Sequence, residues 1–190
     1  MKISSSNLIG DLIQRTESNL RLALELRKCS AKDLNHRPAP RSWSALECIE
    51  HLNFYGNYYV PEIEKQISSS PYPADEFFKS GFLGNYFAKS ILPAEGSKKM
   101  KTFKSTNPLG KQLEKEVVIE KFIEHQQKLL QLLKKAKKAN LSRTKTGISI
   151  SNFIKLRLGD TFRVVIYHNQ RHLLQAKKAL SSINQTSANV

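Results

Sequence analysis

His168 and His172 stand four residues apart in the stretch YHNQRHLLQ, residues 167–175, inside a segment whose apolar residues recur at helical spacing. Four residues is about one turn of α-helix, so both imidazoles leave one face, with Thr161, Val164, Val165, Gln175, Ala176 and Ala179 on or beside it. Two rings so placed can converge on one divalent cation at about 2.0 to 2.1 Å from each nitrogen. The spacing suits equally well two histidines that are hydrogen-bonded in or near a core. It does not suit a zincin-type peptidase, because the general-base Glu of that motif follows the first His directly and this chain has Asn169 there.

A third histidine, His51, lies in ALECIEHLNFYGNYY, where Glu47, Cys48, His51, Phe54, Tyr55 and Tyr58 share a helical face. Helical bundles build metal sites from side chains on facing helices, and one His meeting a His-x3-His pair supplies three nitrogen ligands. Three neutral imidazoles leave one position of a tetrahedral ion open to water or substrate, an arrangement of catalytic rather than closed structural sites. His51 therefore turns the reading of the pair toward a metal. Glu47 could accept from an imidazole N–H, although a helix cap explains it better, and Cys48 reads as a small core residue rather than a ligand or nucleophile. Arg171 and Gln175 flank the pair and are candidates to hold an anionic or polar substrate, or simply to reach the surface. Tyr55 and Tyr58 are expected to pack. His36 and His125 have no partner at metal spacing and are expected to be exposed polar residues. No Ser-His-Asp or Cys-His arrangement and no phosphate-cradling glycine loop competes with the histidines.

Four long segments with helical periodicity must position these residues. The first runs from about Ser6 to Lys28, and the second starts at Ala45 and reaches about Ser68. Its start is marked by a capping box, Ser44 as N-cap with Glu47 three positions into the helix, and by Trp43 and Cys48 at the hydrophobic-staple positions. SSSPYP (68–73) ends it. A long connection over 69–113 follows, with room for a short helix around Phe78 to Ile91; connections of that length are functional or cover something. The third segment spans about Glu114 to Ala139 and the fourth about Asp160 to Ile183, with a flexible tail over 184–190. Nothing alternates at a period of two for long enough to demand a sheet. The economical architecture is an all-α helical bundle forming a single domain over 1–190.

With 190 residues and 39% hydrophobic content the chain can bury a proper core. Two cysteines without metal-ribbon spacing point to free thiols in a reducing compartment. No continuous apolar run matches a signal peptide or a membrane span, so a cytoplasmic protein with no membrane partner is expected. The net charge of +15 raises nucleic acid or another anionic partner as a question. Its clusters, KKAKKAN (134–140) and KKMKTFK (98–104), read best as a solvated helix end and a loop. Aromatic residues are not interleaved with them as a single-strand stacking platform requires, which argues against nucleic acid without excluding it.

WSALECIEHL (43–52) and LGDTFRVVIYHNQRHLLQ (158–175) resemble the two signature regions of the DinB-like (DinB/YfiT-like) superfamily. KSGFLGNYFAKSILP (79–93) and KKMKTFKSTNP (98–108) are similar to the crossover of one of its subgroups, so the resemblance covers essentially the whole chain. It implies a four-helix up-down-down-up bundle with a long crossover between helices two and three. It further implies a divalent metal, often nickel or zinc, on three histidines that correspond to His51, His168 and His172. The best-understood relatives are metal-dependent transferases or isomerases that use a low-molecular-weight thiol such as bacillithiol or mycothiol, and a homodimer is plausible. One departure is Asn169, where relatives often carry an acidic residue. Two functions are expected to compete: a thiol-dependent transferase or hydrolase acting on a small molecule, and a non-enzymatic stress-response or binding module whose basic surface meets nucleic acid or anionic partners.

Overall fold

The computed structural model describes residues 1–93 and 102–187, with side chains described to residue 183. The elements run β1 (Lys2–Ser4), α1 (Ser5–Arg27), α2 (Ala31–Asn35), α3 (Ala45–Ser68), β2 (Phe77–Lys79), α4 (Phe82–Ile91), a 3-10 turn (Lys104–Thr106), α5 (Lys115–Ala136), β3 (Lys145–Ile148), β4 (Ser151–Arg157) and α6 (Leu158–Ser187). The fold is mostly helical, as expected. Of the basic run at 98–104, residues 98–101 lie outside the described residues, and of the tail at 184–190 the backbone is helical to Ser187 while 188–190 lie outside them.

Two small antiparallel sheets were not expected. β1 pairs with β2, joining Lys2 to Lys79 and Ser4 to Phe77, and β3 pairs with β4, joining Lys145 to Arg157 with an irregularity after Gly147. The period-two signal of the second hairpin is hidden in sequence because Phe153 stands on its outer face, 97% exposed, beside Lys155 and Arg157, while Leu156 and Thr146 point inward. An apolar residue on the solvent side cancels the alternation that would reveal a strand.

α1 packs against α5 and α6, and α3 packs against the same two helices from the other side. Two apolar clusters fill the space between them. One is built on Leu8, Leu12, Ile63, Leu132 and Phe162, and the other on Leu26, Ile49, Leu52, Phe122 and Leu173. Both use the three- and four-residue recurrence read from the sequence, which is why the long helices lie within a few residues of expectation.

Two local devices set where α3 and α6 begin, and so where their histidines fall. At α3 the predicted capping box forms: the Glu47 N–H donates to Ser44 Oγ at 3.1 Å and the Ser44 N–H donates to Glu47 Oε2 at 2.9 Å. At α6, the buried Asp160 carboxylate accepts from Arg163 Nη1 at 3.0 Å, from the Gly81 N–H at 2.7 Å, and from the Ser80 hydroxyl. Arg163 also donates to Asn85 Oδ1 at 3.2 and 3.3 Å. An acid in the first turn complements the helix dipole, and here it also ties the β2–α4 connection to the start of α6. Gly84 permits the approach, since a Cβ there would lie 2.5 Å from the Asp160 Cβ.

His36 is exposed as expected, but His125 is not. It is half-buried against Gly56 of α3, where a Cβ would collide with the imidazole, so the missing side chain of one helix makes room for the ring of the other.

Candidate metal centre

α3 and α6 lie side by side, and the second turn of one faces the middle of the other. His51, from α3, is buried at 3% exposure; His168 and His172, from α6, are half-buried. One ring nitrogen of each lies within 4.8 Å of the other two. Ring centroids are 5.1 Å apart for His51 and His168, and 4.7 Å for each of the other pairs. Among the described residues this is the group of His, Cys, Asp or Glu side chains able to hold an ion.

The donor set fits a divalent cation. Three nitrogens bound tetrahedrally at about 2.1 Å sit roughly 3.4 Å from one another, so small side-chain rotations close the present spacing onto an ion. The ring tautomers suit it too. His51 Nδ1 lies 2.7 Å from the Thr106 carbonyl oxygen, which can only accept, so that nitrogen carries the proton and Nε2 keeps its lone pair. His172 Nδ1 lies 2.9 Å from Gln175 Oε1 and is fixed in the same sense. An outer acceptor on the non-ligating nitrogen is the arrangement that orients metal-binding imidazoles.

Burial keeps the three rings neutral, which is the ligating form. Loss of solvent pushes His51 below the usual histidine range against the opposing effect of its bond to Thr106. His168 is pushed well below it by burial first and then by the nearby His172, His51 and Arg171. For His172 the same influences bring the pKa to about 3, although the Gln175 hydrogen bond opposes them. The unfolded chain protonates these rings near pH 6.5 while the folded chain does not, so below that pH the unfolded state binds more protons and stability falls. For metal-free protein, stability should therefore fall as the pH drops below about 6.5, with all three rings contributing in the same direction. For His172 the loss should continue toward pH 3. Melts in chelator at pH 7.5, 6.5 and 5, beside a His172→Gln variant with a shallower slope, check this; superimposable slopes would sink it.

Two aromatic rings wall the cluster, and neither was assigned to the site from sequence. Trp43 lies 4.8 Å from His51 and 5.6 Å from His172 between ring centroids, and Tyr55 lies 5.0 Å from His51 and 4.6 Å from His168. Their signals were present: Trp43 is the staple residue of α3, and Tyr55 is one turn after His51. The Thr106 carbonyl had no signal, because a backbone oxygen is common to every residue type.

Glu47 holds that carbonyl's segment in place. Beyond capping α3 it accepts from Arg37 Nε at 3.0 Å and from the Gly110 N–H at 2.9 Å, and Trp43 Nε1 donates to Asn107 Oδ1 at 3.1 Å. Burial pushes the Glu47 pKa up, but the hydrogen bonds from Arg37, Ser44 and Gly110 outweigh it and hold the carboxyl below its ordinary value. The cap reading of Glu47 stands, and the same carboxylate anchors the connection that reaches His51.

The remaining sequence candidates fall as follows. Cys48 is fully buried in the apolar cluster with its thiol pKa raised by burial, so it is the core residue expected. Gln175 is exposed and engaged with His172, and Arg171 is half-buried with its charge felt by both α6 histidines. Asn169 faces away from the cluster and donates to Gln126 of α5 at 3.3 Å. Tyr58 keeps 38% of its surface exposed with its ring against Tyr59 at 5.0 Å.

A family model described as DinB superfamily matches residues 12–176, a span that contains all three histidines. No curated protein and no solved structure gives a significant match. No helix among the described residues is long and apolar enough to cross a membrane.

Proposed function

The chain belongs to the DinB superfamily, and from that membership and the three converging imidazoles we propose that it is a divalent-metal-dependent enzyme whose ion is held by His51, His168 and His172. The observation that carries the proposal is the convergence of one ring nitrogen from each histidine within 4.8 Å, two of them with the other nitrogen held by an outer acceptor. We further propose the up-down-down-up bundle of the superfamily as the topology of a single domain over 1–190, with 69–113 as its crossover. Zinc or nickel is the favoured ion, because imidazole nitrogen suits both.

A bound ion with an open position acts as a Lewis acid and lowers the pKa of a thiol or water there toward neutrality. The residues of this chain supply the rest. Trp43 and Tyr55 exclude bulk water from the imidazoles, Thr106 and Gln175 keep the ligating nitrogens unprotonated, and Arg171 with Gln175 stands where the polar end of a low-molecular-weight thiol cosubstrate would lie. The reaction is a thiol-dependent transfer or a hydrolysis on a small molecule, in a cytoplasmic homodimer. The competing reading, a basic binding module for nucleic acid or another anionic partner, is favoured by the charge of +15 alone.

Equilibrium dialysis of metal-free protein against zinc or nickel, followed by elemental analysis, tests the proposal. One ion per chain is expected. Uptake well below that, together with duplex or single-strand binding that weakens steeply with salt, would replace the enzyme by the binding module.

A further inference from the structure

A cavity of about 280 Å³ opens beside the histidines, between Phe54 and Tyr55 of α3, Phe103 and Thr106 around the 3-10 turn, and Ser149 and Ile150 at the tip of the β3–β4 hairpin. Two of its walls belong to the histidine cluster: Tyr55 lies against His51 and His168, and the Thr106 carbonyl accepts the His51 N–H. Its other walls are Phe54, two serines, Ser105 and Ser149, and two large apolar side chains left open to solvent, Phe103 at 56% and Ile150 at 51% exposure. Isolated exposed apolar residues need no explanation. These last two come from segments far apart in sequence and face one cavity, which Tyr55 and Thr106 separate from the three imidazoles. Pockets for small molecules have that composition, mostly apolar walls with a few polar groups at one end.

We propose that this cavity holds the apolar body of the substrate, an aromatic or branched aliphatic group whose donor head reaches the three-histidine centre past Tyr55. At a water's share of roughly 30 Å³ per non-hydrogen atom, the cavity admits about ten such atoms, the size of a benzyl compound. The position of the head rests on the metal reading above; the placement of the apolar body does not. Ser105 and Ser149 in the lining, the latter with its hydroxyl 3.5 Å from Tyr59 Oη, offer polar contacts for a substituted ring.

The probe is 4-fluorobenzyl mercaptan, followed by fluorine NMR with zinc-loaded and metal-free protein; 2-mercaptoethanol, which carries the same head without the ring, is measured by competition. On zinc-loaded wild type the fluorobenzyl probe should bind at least about tenfold more tightly than 2-mercaptoethanol, as burial of a ring predicts. Phe103→Ser and Ile150→Ser should each erase most of that difference while retaining wild-type zinc content and melting temperature, since both side chains are more than half exposed. Equal affinity for the two thiols, or variants that bind like wild type, would overturn the proposal. So would a dimer that Ile150→Ser converts to monomer, because the open face would then be a subunit contact. If the protein takes up no zinc, the metal reading fails by itself. The pocket is then judged on metal-free protein, where the probe resonance should still shift with wild type and not with the variants.

Discussion

Metal-free protein given zinc or nickel should gain about 8 to 16 °C in melting temperature, and His51→Ala or His168→Ala should lose most of that gain. At an ion concentration a thousand times the dissociation constant, binding to the folded state alone stabilises by about 4.1 kcal/mol. For a chain of this size each kcal/mol is worth roughly 2 to 4 °C. Structural zinc sites bind with about 10 to 16 kcal/mol over four ligands, so removing one imidazole should weaken binding by about two to three powers of ten. The double variant His51→Ala, His168→Ala should take up no ion at stoichiometric load. His36→Ala is the control, because His36 is exposed and lies outside the cluster. Ion uptake by the double variant equal to wild type would remove the three histidines from the site, whatever the protein's activity.

Asp160→Ala should be the most damaging single substitution outside the histidine cluster. Asp160 has no exposed surface and its partner Arg163 keeps only 5%. Removing one member of a buried ion pair typically costs about 3 to 5 kcal/mol, because the remaining charge is stranded without compensation. Here the loss also releases the Gly81 N–H and the Ser80 hydroxyl, which anchor the β2–α4 connection. A fall of roughly 10 °C or more in melting temperature is expected. Asp160→Ala combined with Arg163→Met should recover part of it, since the stranded charge is gone. A double variant less stable than Asp160→Ala alone would show that Arg163 acts through Asn85 and Ser80 and not through the carboxylate. Because the pair lies two turns before His168, metal affinity of the folded Asp160→Ala protein should be close to wild type.

Much of the candidate site was legible because it is written in helical spacing. Two of its histidines are one turn apart, and the third falls in the second turn of a helix whose start is declared by Ser44 and Glu47. Such signals are local: they depend on residues within about four positions of one another, where the backbone geometry is already known. Phe153 shows the opposite case, since its outward position disguised a strand that only pairing with Lys145–Ile148 makes regular. His125 is a second case, expected to be exposed and found packed in the space left by Gly56, a complementarity between two helices that neither declares alone.

The amino-acid sequence by itself determined the four long helices, the cap that sets the register of His51, and the chemistry of a His and a His-x3-His on apolar faces, because periodicity, capping and residue type are properties of short stretches. Only the tertiary structure decided that the three rings meet, that Thr106 and Gln175 set the tautomers of two of them, that Trp43 and Tyr55 close over the cluster, and that Phe103 and Ile150 open a cavity next to it. The physical reason is distance along the chain: Thr106 is 55 residues from His51, and His168 is farther still. Contacts of that separation are fixed by how packed helices and the segments tied across them fill space together.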